Sequence, residues 1–282
     1  MSYILFTAGA CPRCKIAKKF MDERGTAYEE FDIEAEGMET FRQFYGNNRS
    51  SIFRGKEGIE FPVFTDGTVV RQGVGMVIAY LAAGTKLEGF IGRSELFKGW
   101  VSGLHISGGT SSSYDDLVTV LNFLQKNGLQ LQLDVNGKNG SLLERLLKEK
   151  LGARVIMDVK GPLVLYRQLL GEEIGAAEIQ TSIGLVPRFP DYQFQTVVTP
   201  VVRREGVANE VSYLTPQEIG ETARLIKEAS GSPRHPYLLR MFQRDACLDD
   251  RLKTAEDLAY NDMFRYRTAA RQHLPMTEIE KI

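Results

Sequence analysis

Cysteine, histidine and net charge are what this chain has least of. Its 282 residues hold three cysteines (Cys11, Cys14, Cys247) and three histidines (His105, His235, His273). An extracellular disulfide framework wants more cysteines and an even number. A closed structural zinc site needs four ligands, and no ligand spacing joins these histidines to the cysteines, so no metal site is expected. A formal net charge of -1 gives no overall pull toward nucleic acid or an anionic membrane. No stretch approaches the ~20 apolar residues of a membrane span. The apolar start, Tyr3 to Ala10, runs directly into a cysteine pair and a charged helix, which is not the pattern of a leader. The expectation is a soluble, cytoplasmic α/β protein of about two domains, with neither a membrane nor a nucleic acid as partner.

What is present is concentrated at the N-terminal end. Tyr3-Ile4-Leu5-Phe6-Thr7 reads as a buried strand and Ala8-Gly9-Ala10 as a small-residue turn. Cys11-Pro12-Arg13-Cys14 follows, and then Ile16, Ala17, Phe20 and Met21 lie on one helical stripe. Pro12 suits a first helical turn, where no N–H is needed. The order strand, turn, C-x-x-C, helix sets Cys11 at the positive end of a helix, where a thiolate is favoured over a thiol. Cys11 is therefore the expected attacking thiol. Cys14, one turn deeper, is the expected resolving thiol. Arg13 and Lys15 add positive charge nearby.

These residues resemble the glutaredoxin branch of the thioredoxin fold. The resemblance covers YILFTAGACPRCKIAKKFMDERGTAYEEFDI, with residues 28–33 as the second strand. It resumes at Ile59-Glu60-Phe61-Pro62-Val63-Phe64 and the turn Asp66-Gly67. In that family a cis proline faces the cysteine pair and orients the incoming disulfide, and Pro62 matches it. The resemblance makes Pro12, Arg13, Phe61 and Pro62 the candidate substrate-binding residues. The family's Gly-Gly pair reads Gln72-Gly73-Val74-Gly75 here, and residues 46–58 stand as an insertion. Glutathione thus stays open as a reductant while thiol chemistry is expected.

Residues 1–84 form the expected first domain and 85–98 the linker. From 99 to 245 the pattern alternates: strands at 101–107, 129–135, 154–159 and 194–201, with helices at 116–126 and 141–150. This rhythm argues for a parallel sheet, open or barrel-like. Polar punctuation falls at the strand ends: Gly108-Gly109-Thr110, Asp134-Val135-Asn136-Gly137 and Asp158-Val159-Lys160. Ligands collect at such ends in parallel α/β folds. Asp158 and Lys160, two apart, share a face. Each motif alone reads more simply as a tight turn or a solvated strand end.

Together, VSGLHISGGTSSSYDDLVTVLNFLQKNGLQLQLDVNGKN, VIMDVKGPL, YQFQTVVTP and HPYLLRMFQ resemble radical S-adenosylmethionine activases, nearest in look to the anaerobic ribonucleotide reductase activating family. That family uses a Gly-Gly-Glu turn, a Thr-Asn-Gly turn and an Asp-x-Lys strand end to line the cofactor site. It also needs a C-x-x-x-C-x-x-C cluster loop. Here Thr110 replaces the acid and the cluster loop is missing. The resemblance therefore implies a degenerate, non-catalytic partial barrel. Gly108, Gly109, Thr110, Asp134, Asn136, Asp158 and Lys160 become a vestigial ligand site, with neither an iron–sulfur cluster nor S-adenosylmethionine expected.

Residues 246–282 read as a helical tail, with a helix over 249–272. Cys247 lies among Asp245, Asp249 and Asp250 and reads as an inert structural thiol. Tyr260, Phe264, Tyr266, Arg265, Arg267 and Arg271 mix aromatic and basic character, and core packing is their commoner use.

The functional expectation is a CPRC thiol–disulfide oxidoreductase needing no bound cofactor. Its substrate is a disulfide-bearing protein or small molecule, and the barrel selects the partner or ligand. Two alternatives stay open: a non-enzymatic adaptor for a radical or anaerobic enzyme, and a protein in which Cys11 and Cys14 of two chains bridge an iron–sulfur cluster.

Overall fold

The computed structural model describes residues 3–55, 58–94, 98–204 and 210–281. The chain divides into two compact units, Met1–Leu133 and Asp134–Ile282.

The first unit opens with β1 (Tyr3–Thr7), α1 (Pro12–Glu23), β2 (Tyr28–Asp32) and α2 (Met38–Asn47). Short strands β3 (Arg54–Gly55) and β4 (Gly58–Ile59) follow, then β5 (Val63–Thr65), β6 (Val70–Gln72) and α3 (Val74–Ala83). Four strands form a mixed sheet in the order β2-β1-β5-β6. β1 runs parallel to β2 and antiparallel to β5, and β5 runs antiparallel to β6. β1 is interior, so its alternating side chains are buried on both faces. Leu5 packs with Ala17, Met21, Phe64 and Val77. Phe6, pointing the other way, packs with Phe41, Ile52 and Val63. Within the expected insertion Ile52 thus joins this core, and Arg54 and Gly55 pair with Ile59 and Gly58.

The segment after α3 is packed as well. Leu87 and Phe90 are buried, and Ile91 bridges to Leu104 of β7 (Trp100–His105). Gly92 N–H donates to Gly103 O and His105 N–H to Phe90 O, both at 2.7 Å. α4 (Tyr114–Lys126) buries Leu117, Val120, Leu121 and Leu124. Its Phe123 meets Phe20 of α1 edge-on, with ring centroids 4.8 Å apart.

The chain continues through β8 (Gln130–Val135), α5 (Gly140–Lys148), β9 (Arg154–Asp158), α6 (Leu163–Leu170), α7 (Ala176–Leu185) and β10 (Asp191–Val198). Then come β11 (Pro200–Arg204), β12 (Glu210–Tyr213), α8 (Pro216–Ser230), β13 (Tyr237–Met241), α9 (Met263–Arg271) and β14 (Thr277–Ile279). A six-stranded parallel sheet runs in the order β14-β13-β10-β9-β8-β7. Within the second unit Phe194 stands between Met157 and Tyr237, all three buried. The parallel sheet matches the alternating rhythm of the sequence.

Two expected elements differ. The strand expected over 194–201 breaks at Thr199. β10 stays in the large sheet, while β11 begins at Pro200 and pairs antiparallel with β12 in a sheet of its own. Proline has no N–H to donate, so it suits a strand's first residue and not its middle. The helix expected over 249–272 is confined to α9, preceded by short 3-10 turns at 252–254 and 260–262. The Asp249 carboxylate takes the Arg251 backbone N–H and guanidinium, and Thr254 Oγ1 donates to Arg251 O. Such local bonds compete with a helical ladder. The tail then ends as a strand, with Thr277 paired to Tyr237.

Candidate functional site

The antiparallel register of β1 and β5 assembles the first site. Phe6 faces Val63, so the chain leaving β1 toward Cys11 runs beside the chain entering β5 through Phe61 and Pro62. The Phe61–Pro62 peptide is cis. Pro62 is buried and Phe61 half-buried, its ring 5.2 Å from that of Phe41. Phe61 O lies 3.9 Å from Cys11 Sγ.

Cys11 is the N-cap of α1, in extended conformation, with Pro12 at the first helical position. Its Sγ accepts the Cys14 backbone N–H at 3.1 Å. A helix N-terminus leaves N–H groups without intrahelical partners, and here a sulfur takes one of them. Cys11 and Cys14 are a close, disulfide-bonded pair with Cα atoms 5.3 Å apart. Cys11 is half-buried, while Cys14 is buried beneath it. No acidic residue occupies the first turn of α1. Of the two residues, Cys11 is the more exposed.

Arg13 does not reach into open solvent. Its guanidinium pairs with the Glu60 carboxylate and donates to Trp100 O at 2.7 Å. Both side chains of the pair are mostly covered, 15% and 19% exposed. Burial pushes the Glu60 carboxyl above its ordinary value, and the charge and hydrogen bond of Arg13 oppose part of that rise. The carboxylate also lies against Gly73, the glycine that caps α3; a Cβ there would sit 3.0 Å from Glu60 Oε1. Glu60 is the residue that sequence reasoning missed. The only local signal was an acid next to Phe61-Pro62.

The remaining candidate residues fall in both units. In the first, Gly108 and Gly109 serve close packing. A Cβ on Gly108 would lie 2.0 Å from Gly89 O, and one on Gly109 would lie 1.9 Å from the Phe90 ring. Thr110 is exposed, its hydroxyl 3.0 Å from that of Ser112.

In the second unit, Asp134 lies in β8 and Asn136 just past it. Asn136 O accepts the Tyr166 hydroxyl at 2.8 Å, and Gly137 O accepts the Ser182 hydroxyl at 2.8 Å. Lys138 pairs with Glu172, and Asn139 N–H donates to Glu178 Oε1 at 2.9 Å. Asp158 ends β9 and Lys160 lies just past it, outside the strand, and the two form an ion pair through Asp158 Oδ2. Asp158 Oδ1 is buried with no hydrogen-bond partner among the described residues. With Leu169, Val197 and Thr199 the two line a cavity of about 120 Å3. Burial pushes the hydroxyls of the buried Tyr166 and Tyr237 well above the ordinary tyrosine value, and Asp158 adds to both shifts.

Cys247 is a free, half-buried thiol, 3.5 Å from Asp249 O. Among the described residues no three His, Cys, Asp or Glu side chains converge as a metal site, and no helix is long and apolar enough to cross a membrane. A scan against models of known protein families gives no match for this chain, and a search of curated protein sequences gives none either.

Proposed function

We propose that this chain is a thiol–disulfide oxidoreductase of the glutaredoxin-like, thioredoxin-fold kind, working through Cys11 and Cys14. The observation that carries the reading is the placement of the pair. Cys11 caps a helix, takes a backbone N–H on its sulfur and sits over a buried Cys14. The strand order β2-β1-β5-β6 and the cis Phe61–Pro62 peptide beside Cys11 support it.

In the reduced protein the Cys11 thiolate attacks one sulfur of a substrate disulfide. That S–S bond breaks, and the leaving thiolate takes a proton from water. Cys14 gives its proton to solvent and attacks Cys11 Sγ of the mixed disulfide, expelling the second substrate thiolate. Two electrons pass to the substrate and Cys11–Cys14 closes. An external thiol, of low molecular weight or on a partner protein, returns the electrons, as a reducing compartment such as the cytoplasm provides.

The residues from β7 onward are proposed as a non-catalytic, activase-like region that selects the partner or ligand. The parallel sheet and the strand-end cavity at Asp158 support that part. A four-iron cluster does not fit the donor set. Beyond the paired cysteines the chain offers one thiol, Cys247.

The test is a redox titration of anaerobically purified protein, read by thiol alkylation and mass spectrometry, with iron measured on the same sample. A reversible Cys11–Cys14 disulfide in metal-free protein is expected, and it should be lost in Cys11→Ser. Iron bound through these cysteines, or no reversible pairing, would overturn the assignment.

A further inference from the structure

Arg13 stands between the two cysteines of the pair, on the first turn of α1, and carries a permanent charge. A cation beside a thiolate ordinarily stabilises it and, with it, the reduced state. This one is already taken up. Its guanidinium is held by Glu60 on one side and by Trp100 O on the other. Glu60 in turn belongs to the chain that lines the opposite wall of the site, next to Phe61, whose carbonyl lies 3.9 Å from Cys11 Sγ. Solvent screens charges weakly at such low exposure.

We infer that Glu60 is a positioning residue that sets the redox balance of the Cys11–Cys14 pair by holding and neutralising the Arg13 guanidinium. The inference rests on the thiol–disulfide reading of the same site. Glu60 makes no attack and transfers no group. It fixes where the mostly covered charge of Arg13 lies and how much of it the sulfurs experience.

The structure also supplies a clean perturbation. In Glu60→Gln the amide oxygen can still accept from the guanidinium, and the bond from Arg13 to Trp100 O is untouched. Arg13 keeps its position while the local charge rises by one. The reduced, thiolate-bearing form gains and the disulfide becomes more oxidising. Glu60→Asp keeps the charge and should stay near the wild type. Arg13→Met removes the cation and should move the balance the opposite way.

The measurement is the equilibrium of each full-length variant with a reference dithiol, together with the pH profile of Cys11 alkylation in reduced protein. Glu60→Gln is expected to shift the equilibrium about tenfold toward the dithiol, about 30 mV for this two-electron couple. Its alkylation profile should move to lower pH. Arg13→Met should shift both readouts the other way. A Glu60→Gln variant indistinguishable from wild type would overturn the inference, as would equal shifts in Glu60→Gln and Glu60→Asp. If Glu60→Gln does not fold, Glu60→Ser, which also removes the carboxylate, takes its place: an unchanged alkylation profile refutes the role. If the wild-type pair does not cycle, the oxidoreductase reading falls, while the alkylation profiles still decide Glu60.

Discussion

Substituting alanine at Gly109 should destabilise the first unit, and the structure says by how much. The new Cβ would lie 1.9 Å from Cε2 of Phe90 and 2.3 Å from its Cδ2. Carbon atoms in contact sit at about 3.5–4.0 Å, so the ring must retreat by roughly 1.5–2 Å. It has nowhere easy to go. Phe90 is fully buried, its ring edge-on to Tyr114, and its backbone carbonyl is held by His105 N–H. Overpacking of this kind costs about 1–3 kcal/mol, and so rigid a neighbour argues for the upper end. At about 3 °C per kcal/mol the melting midpoint should fall by about 9 °C. Thermal unfolding followed by circular dichroism is the assay. Gly46→Ala is the control, because a Cβ at that exposed position in α2 meets nothing within 4 Å and improves the helix. Phe90→Leu should relieve the clash, so the double variant should lose less than the two single losses added together. A Gly109→Ala protein that melts with the wild type would refute the reasoning.

Three further outcomes are expected. Cys14→Ser leaves Cys11 able to attack and unable to be resolved, so a mixed disulfide should accumulate as an added mass under non-reducing conditions; trapping through another residue would contradict the assignment. Thr215→Ala removes the N-cap of α8, where the Thr215 hydroxyl accepts Glu218 N–H and the Glu218 carboxylate accepts Thr215 N–H. It should cost about 1 kcal/mol in urea unfolding, and an unchanged midpoint would show the cap to be inert. Asp66 accepts the Tyr80 hydroxyl at 2.5 Å and the Thr68 and Val69 N–H groups, and the Tyr80 bond in particular holds its carboxyl well below the ordinary range. Its folded value is depressed, so its contribution is present above the unfolded value of about 4 and is lost as the pH falls below that. Asp66→Asn should therefore lose stability at neutral pH and show a flatter acid limb; an acid limb matching the wild type would count against this account.

Local signals were the legible ones. The turn Ala8-Gly9-Ala10, the cysteine spacing, Pro12 and the stripe from Ile16 to Met21 lie within one short continuous segment, and together they place Cys11 at a helix start. The alternating apolar segments between 101 and 159 likewise lead to strands and helices within a residue or two of those observed. What escaped was set by partners distant along the chain. Glu60 meets Arg13 across 47 residues, and no periodicity carries that. Gly108 and Gly109 read as turn glycines, whereas Gly89 and Phe90 are what exclude a Cβ from them. The tail misled for a different reason. Leu252, Ala255, Leu258 and Ala259 have helical spacing, but Asp249 before them and Thr254 among them engage nearby backbone groups with their side chains.

The loop after β8 carries a consequence for how the second unit comes apart. Its four residues, Asn136 to Asn139, are each tied to something on or beside α6 and α7: the Tyr166 hydroxyl, the Ser182 hydroxyl, and the carboxylates of Glu172 and Glu178. A surface loop ordinarily opens on its own, at little cost in free energy. This one cannot open unless the two helices release it. Its amide protons should therefore exchange on the schedule of α6 and α7, as one cooperative block. Mechanically, Asn136–Asn139 is a cross-brace of the helical layer.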